Sequence, residues 1–513
     1  MRLRAVFFYL PLIAIVCSAA ASAQVTLPKI LSSHMVVQRE FPVHVWGMAG
    51  PGEQVSVSFR GQTRQTTAGP QGRWSLYLMP GAAGGPFQMT IEGRPASAGG
   101  DSASEATAAA PQTITLDDVL VGDVWVASGQ SNMEFLMRQA ATADQDLPHA
   151  DNDHIRLLMV KKSAVDYPQE DIGSEGWTAS TPESAKEFSA VAWYFAREIE
   201  QREHVPVGVI DSTWGGTPVE AWVRMEALGE DASLTPLFAS WGRMTQGQPD
   251  ALLREKMRQQ AIDAAKAAGK PTPMFPWTPV LESWGPGMLY NGMIAPLTPF
   301  PIRGVIWYQG ESNSVLDRAA LYGRVFRTLI EDWRRQWGVG DFPFLYVQIA
   351  NFKSSPAEDW ATIREQQLKT LELRNTGMAV TIDIGNPDNV HPADKVDVGL
   401  RLARAARVLT YGESIEDSGP MFRQVTPEGP ALRVWFDHAQ GLTAKGGAVT
   451  GFEVAGADGK FVPATASIEG TSVVATSPDV AEPRFVRYGW ANSPECNLFN
   501  GESLPASPFT SVP

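Results

Sequence analysis

The sequence predicts an α/β fold: a parallel sheet flanked by helices, with additional β-sandwich regions at both chain ends. Three observations predict it. Short apolar runs alternate with helical stretches between residues 119 and 412, turn-broken apolar/polar alternation fills residues 24–118, and the same alternation returns over 413–513.

The chain opens with "MRLRAVFFYLPLIAIVCSAAASA", in which Arg2 and Arg4 precede an apolar run and then Ala21-Ser22-Ala23. This is the three-part pattern of a cleaved secretion signal, so residues 1–23 read as a signal peptide and the mature chain starts near Gln24, periplasmic or secreted. The apolar run is shorter than the ~20 residues a membrane span needs, and no later segment is long and apolar enough. Over residues 24–118, "VHVWGMAGPGEQVSVSF" and "GRWSLYLMPG" alternate in short runs between Gly and Pro turns, as a small sandwich does. Residues 95–112, "PASAGGDSASEATAAAPQ", are small and polar and read as a mobile loop.

In the central region the strand candidates are "VLVGDVWVAS", "VPVGVIDS", "RGVIWYQG", "FPFLYVQIA" and "GMAVTIDIG". Phe188, Val191, Ala192, Phe195 and Ile199 recur at helical spacing, as do Leu321, Val325, Leu329 and Trp333. Strand, helix, strand in succession implies a parallel sheet covered on both faces, with ligands gathering at the carboxyl ends of its strands. Residues of about 225–300 interrupt the order with a charged helical segment and the proline-rich "PTPMFPWTP", and read as an insertion bordering a site. The tail, 413–513, either forms its own sandwich or joins the amino-terminal one.

The 513 residues carry a net charge of −14, and the leader would take two arginines with it. Nucleic-acid binding, which neutralises phosphates with Lys and Arg, is therefore not expected. Of the two cysteines, Cys17 lies in the leader, so Cys496 has no partner and the chain relies on buried area rather than disulfides. The seven histidines are scattered without zinc-ligand spacing, which predicts neither a metal nor another cofactor.

Each strand end carries an unusual cluster. Ser131 follows "VWVASGQ", Gly215 and Gly216 follow "VIDSTW", Gln309-Gly310-Glu311-Ser312-Asn313 follows "GVIWY", and Asp388 and His391 follow "VTIDIGNP". In a parallel sheet all four face one edge. A serine hydroxyl attacks only when a base takes its proton, and His391 is the one histidine at such a strand end. Asp388, three residues earlier, is positioned to hold a ring nitrogen and fix the tautomer. A tetrahedral oxyanion needs fixed donors, for which the Ser131 amide, a backbone amide at Gly215 or Gly216 and the Gln309 carboxamide are available. Glu311 reads as a buried strut tying loops together, and Gln130 and Asn132 as hydrogen-bonding partners of neighbouring loops.

The blocks "GQSNM", "STWGGTPVEAW", "WYQGESN" and "DNVHP", in this order, resemble the four conserved blocks of SGNH-type hydrolases, whose sheet is flavodoxin-like, and within them sialate O-acetylesterase-like carbohydrate esterases. The flanking "LPKILSSHMVVQR" and "LPASPFTS" resemble longer bacterial members, so the likeness covers nearly the whole chain. The resemblance implies Ser131 as nucleophile, His391 as base and Asp388 as its orienter, with Asp383 and Asp394 as substitutes for the last. It further implies an oxyanion hole from Ser131, the block-two glycine and a block-three side chain. The first block reads Gly-Gln-Ser where the wider group has Gly-Asp-Ser, and the third departs as well, which leaves both Gln309 and Asn313 as candidate donors, Gln309 ranked first.

The implied activity is removal of O-acetyl groups through an acetyl-enzyme, from sialic acids or plant cell-wall glycans such as xyloglucan or xylan. Trp214, Trp222, Trp284, Trp307 and Tyr308 lie near the motifs, and aromatic faces suit the apolar faces of sugar rings. Trp214, Trp284 and Trp307 are the candidate substrate-binding residues, with Trp284 expected to be exposed. A binding protein without catalysis would not need Ser131, Asp388 and His391 together, and a lipase or thioesterase would need a long acyl groove that nothing in the sequence announces.

Overall fold

The computed structural model describes residues 25–94, 111–273, 275 and 278–512. The expected leader and nearly all of the loop expected at 95–112 lie outside the described residues.

A mixed sheet carries the centre of the fold. Its strands are β1 (Gln112–Gly129), β2 (Asn152–Met159), β3 (Trp177–Ser180), β4 (Val207–Thr213), β5 (Gly304–Tyr308), β6 (Phe344–Gln348) and β7 (Thr376–Val380). Their order across the sheet is β7-β6-β5-β1-β4-β2-β3. All neighbours are parallel except β2 and β3, which pair antiparallel. All five residues of β5 and of β6 are buried, as expected of parallel strands covered on both faces.

After β1 the chain runs to one side of it, through β2 and β3 to β4, and then crosses to the other side at β5. The carboxyl end of β1 is therefore the point where the winding reverses, which is where such sheets open a crevice. Register makes the point concrete: Gly129 pairs with Thr213 on one side and with Tyr308 on the other. Three strand ends stand side by side, and whatever follows each of them shares one edge.

The covering helices include α1 (Ser131–Glu134), α2 (Ala190–Glu203), α3 (Tyr322–Trp337), α4 (Trp360–Thr370) and α5 (Val396–Leu409). In α3, Tyr322, Val325, Phe326, Leu329, Ile330, Trp333 and Trp337 form the buried stripe that the sequence spacing predicts. That stripe meets Trp307 of β5, whose ring is edge-to-face with Trp333 at 5.9 Å and with Trp222 at 6.1 Å. In the insertion, helices span Thr235–Gln246 and Gln248–Ala267.

Two compact units divide the chain. One takes in the described parts of Met1–Leu27, Val45–Leu76 and Met89–Thr115, and the other the described remainder. In the first, strand Gln54–Phe59 pairs antiparallel with Gln62–Thr67 and with the end of Gly84–Arg94, burying Val55, Val57 and Phe59 in alternation. The expected boundary at 118/119 falls inside β1, which runs unbroken from Gln112. The tail, 413–513, belongs to the same compact unit as the central sheet. It forms its own sandwich of two four-stranded antiparallel sheets around Val434, Phe436, Val454, Val473, Tyr488 and Phe509.

Arg364 of α4 explains why the tail does not stand apart. It is fully buried and donates to the carbonyls of Ile349 and Ala350, which follow β6, and of Ala491 and Asn492 in the tail, all at 2.7–2.9 Å. Burial lowers its pKa to about 10, which still leaves it charged at neutral pH. Arg364→Met is therefore expected to strand four carbonyls and cost at least about 3 kcal/mol, measured by chemical denaturation. Arg364→Lys should recover only part, because an ammonium lacks the guanidinium fork.

Candidate active site

The turn after β1 is made possible by a missing side chain. Gly129 has φ +132°, and a Cβ there would lie 2.2 Å from the Tyr308 carbonyl oxygen. The next amide, Gln130 N–H, donates to that same carbonyl at 3.0 Å, and the Gln130 side-chain oxygen accepts from Ser312 N–H at 3.2 Å. The chain then enters the single turn α1 with Ser131 as its first residue. Ser131 N–H consequently has no acceptor within the helix.

His391 arrives from the loop after β7, and its Nε2 lies 2.8 Å from Ser131 Oγ. Asn132 sets this approach. Its Nδ2 donates to the Val390 carbonyl at 3.0 Å and to Glu311 at 2.6 Å, while its Oδ1 accepts from Lys395 Nζ at 2.7 Å. One side chain beside Ser131 thus clasps the histidine loop, the start of α5 and the turn after β5. The loop-bonding roles expected of Gln130 and Asn132, and the strut expected of Glu311, correspond to these contacts.

Burial lowers the pKa of His391, and the Lys395 charge lowers it further, while the Glu134 carboxylate acts in the opposite direction. A neutral imidazole at neutral pH follows, which is the form able to accept a proton. Lys395 is itself buried, and desolvation brings its pKa down to about 7 against the opposing charges of Glu311 and Asp394. Burial pushes the Glu311 carboxyl up.

The block-two turn, Trp214-Gly215-Gly216, lies against Ser131. A Cβ on Gly215 would sit 3.1 Å from Ser131 Cβ and 3.1 Å from Glu134 Oε2, so only glycine fits without displacing a neighbour. Gly215 N–H donates to Glu134 Oε2 at 2.5 Å. Gly216 has φ +74°, its carbonyl accepts from Trp284 Nε1 at 2.7 Å, and its N–H has no acceptor among the described residues.

Several expected roles need correction. Gln309 is fully buried and spends both amide hydrogens on Thr217 O at 3.2 Å and Asn313 Oδ1 at 2.8 Å, so it has no donor left for an oxyanion. Asn313 is also buried; it accepts from Val219 N–H and donates to Glu220, which in turn binds Arg318. The two amides stitch block two to block three from beneath. Trp307 is fully buried in the aromatic cluster and cannot meet a sugar, and Trp222 and Tyr308 are buried likewise. Trp284 is half-buried rather than exposed, with the Arg318 guanidinium 5.0 Å from its ring centre. Trp214, also half-buried, has Lys162 Nζ at 5.8 Å from its ring.

Asp388 is exposed, and no hydrogen bond or ion pair joins it to His391 among the described residues. Its two substitutes are engaged elsewhere: Asp383 pairs with Arg401 at 2.6 Å, and Asp394 accepts from Asp397 N–H at the start of α5. Sequence reasoning missed Glu134, Lys162 and Lys395. Glu134 was open to discovery, because it follows Ser131 by three residues and so shares its face of the turn. Among the described residues one group could hold a metal ion, Glu416, Asp417 and His438, and it shares no residue with the Ser131 surroundings.

Residues 252–408 match the family described as carbohydrate esterase, sialic acid-specific acetylesterase. The chain is 30% identical to sialate O-acetylesterase of Pongo abelii, over 93% of this chain and 91% of that protein. It is 29% identical to the human sialate O-acetylesterase over the same shares. Among solved structures, a carbohydrate acetylesterase from Xanthomonas citri superposes with a TM-score of 0.80 at 38% identity, covering 95% of this chain and 99% of that one.

The electrostatics give a signed expectation. Lys395 disfavours the imidazolium, so Lys395→Met should raise the pKa of His391 and move the acid limb of the pH–rate profile to higher pH. An acid limb that stays in place or moves down would show that Lys395 does not act on the ring.

Proposed function

The chain belongs to the sialate O-acetylesterase family of carbohydrate esterases, and from that premise we propose that it hydrolyses acetyl esters of glycans with Ser131 as nucleophile and His391 as general base. The single observation that carries the assignment is the 2.8 Å contact between His391 Nε2 and Ser131 Oγ.

In this reading His391 takes the Ser131 proton as Oγ attacks the acetyl carbonyl carbon. The negative charge that develops on the carbonyl oxygen is met by the N–H groups of Ser131 and Gly216. Collapse of the tetrahedral intermediate breaks the bond to the sugar oxygen, which leaves with the proton held by His391. Water then attacks the acetyl-serine, giving its proton to His391, and acetate departs as Ser131 regains its hydrogen. Asp388 is the proposed orienter of His391, acting through its loop; with no contact to the ring, its share of the rate is the smallest of the three.

Trp214 in the block-two turn and Trp284, which donates to the Gly216 carbonyl from the insertion, are the aromatic surfaces proposed for a sugar ring near Ser131. The glycans proposed are sialosides, in keeping with the curated relatives, or acetylated plant-wall glycans such as xyloglucan and xylan. Acetate release from a panel of all three identifies which. A cleaved leader over residues 1–23 would bring the enzyme to the periplasm or beyond, where such glycans are met; among the described residues no helix is long and apolar enough to cross a membrane.

Ser131→Ala and His391→Ala are expected to lower kcat on p-nitrophenyl acetate by at least about 10³-fold, with the thermal midpoint close to wild type. Asp388→Asn should stay within about tenfold of wild type, because an orienter without ring contact contributes less than 3 kcal/mol-scale groups do. A tenth of wild-type turnover retained by Ser131→Ala would overturn the nucleophile assignment.

A further inference from the structure

One carboxylate beside the nucleophile has no place in the steps above. Glu134 ends the turn that Ser131 begins, and its two oxygens face different partners: Oε2 accepts from Gly215 N–H at 2.5 Å, and Oε1 accepts from Lys162 Nζ at 2.5 Å. Lys162 Nζ also lies 5.8 Å from the centre of the ring of Trp214, the residue before Gly215. Gly215 lies directly against Ser131, as the 3.1 Å approach of its Cβ position to Ser131 Cβ requires.

We propose that Glu134, clamped by Lys162, is a positioning residue of the oxyanion site: it fixes the Gly215 peptide against the Ser131 turn, so that the Gly216 and Ser131 N–H groups are left as the donors, and it supplies negative charge to the imidazolium formed during attack. The proposal rests on the serine-esterase reading above.

Geometry supports the first half. A glycine pair is the least restrained backbone a chain can offer, and an oxyanion donor stabilises a transition state only if it is already aimed. A charged acceptor on the Gly215 N–H makes a stronger bond than a neutral one, and a second, oppositely charged bond restrains the acceptor itself. The carboxylate, Ser131 and the glycine are thereby locked into one rigid piece. Trp284, donating to the Gly216 carbonyl, restrains the other end of the same turn.

Electrostatics support the second half. The charged groups acting on His391 are Lys395, from the start of α5, and Glu134, from the Ser131 turn. Lys395 opposes the imidazolium and Glu134 favours it. An orienting acid on the histidine loop normally supplies that favourable charge; among the described residues no carboxylate hydrogen-bonds the ring, and Glu134 favours its charged form from the serine side.

Three variants test this with p-nitrophenyl acetate and full pH profiles. Glu134→Ala should lower kcat by about 10²-fold, the effect of losing one oxyanion contact, with KM within about threefold. Glu134→Gln keeps an acceptor for Gly215 N–H but not the charge; it should recover part of kcat while its acid limb moves to lower pH. Lys162→Met should fall between wild type and Glu134→Ala. Thermal midpoints close to wild type exclude misfolding as the cause. A Glu134→Gln acid limb in the wild-type position, or a Glu134→Ala loss carried by KM with kcat retained, would overturn the proposal. If Ser131→Ala is inactive while the Glu134 variants match wild type, the positioning role alone fails; if Ser131→Ala is active, the serine mechanism itself fails.

Discussion

Gly129 passes so close to β5 that any side chain would collide with the Tyr308 carbonyl, and this approach determines where everything else in the site can stand. Because the strand end hugs its neighbour, Gln130 can bond the same carbonyl and the chain can turn at once into α1. Ser131 is then held at the edge where β4 and β5 also end. Without that approach the Gly215 turn, whose fit against Ser131 depends on the absence of a second Cβ, would have nothing to pack on.

The second organising element is polar and buried. Asn132 joins Lys395, Glu311 and the Val390 carbonyl, and so couples the three chain segments that must agree for His391 to meet Ser131. Such an arrangement is expensive, because removing an ammonium and a carboxylate from water costs several kcal/mol each before their attraction is counted. The shifted pKa values of Lys395 and Glu311 express that cost. Apolar residues would pack there more cheaply, but they could not specify which carbonyl of the histidine loop faces the serine.

Much of this was legible in the sequence, for identifiable reasons. Five of the seven sheet strands are apolar runs that need two covered faces, and the α3 stripe repeats at helical spacing, so sheet and helices could be read directly. The strand β2, "NDHIRLLM", was not, because its polar first half carries no strand pattern. At the site, local signals sufficed for the serine turn and the glycine pair. They failed wherever function depends on which of two polar groups pairs with which. Nothing in "WYQGESN" says that Gln309 spends both amide hydrogens within the buried layer, nor does "DNVHP" reveal that Asp388 is exposed and makes no hydrogen bond to the ring it precedes. Trp307 was misplaced for a related reason: in a strand buried on both faces an aromatic residue has no solvent side, and alternation cannot tell its two faces apart. Lys395 went unnoticed because long-range partners give a charged residue its meaning, whereas Glu134 could have been read from its three-residue spacing to Ser131.

The central claim is that Ser131 becomes covalently acylated with His391 as its base. Labelling with an organophosphate, followed by peptide mass spectrometry and parallel activity measurement, tests it most directly. The account expects one adduct per chain, on Ser131, with activity falling in proportion to labelling and no adduct formed in His391→Ala on the same timescale. Full activity in protein quantitatively labelled at Ser131, or inactivation with the adduct on another residue, would contradict it.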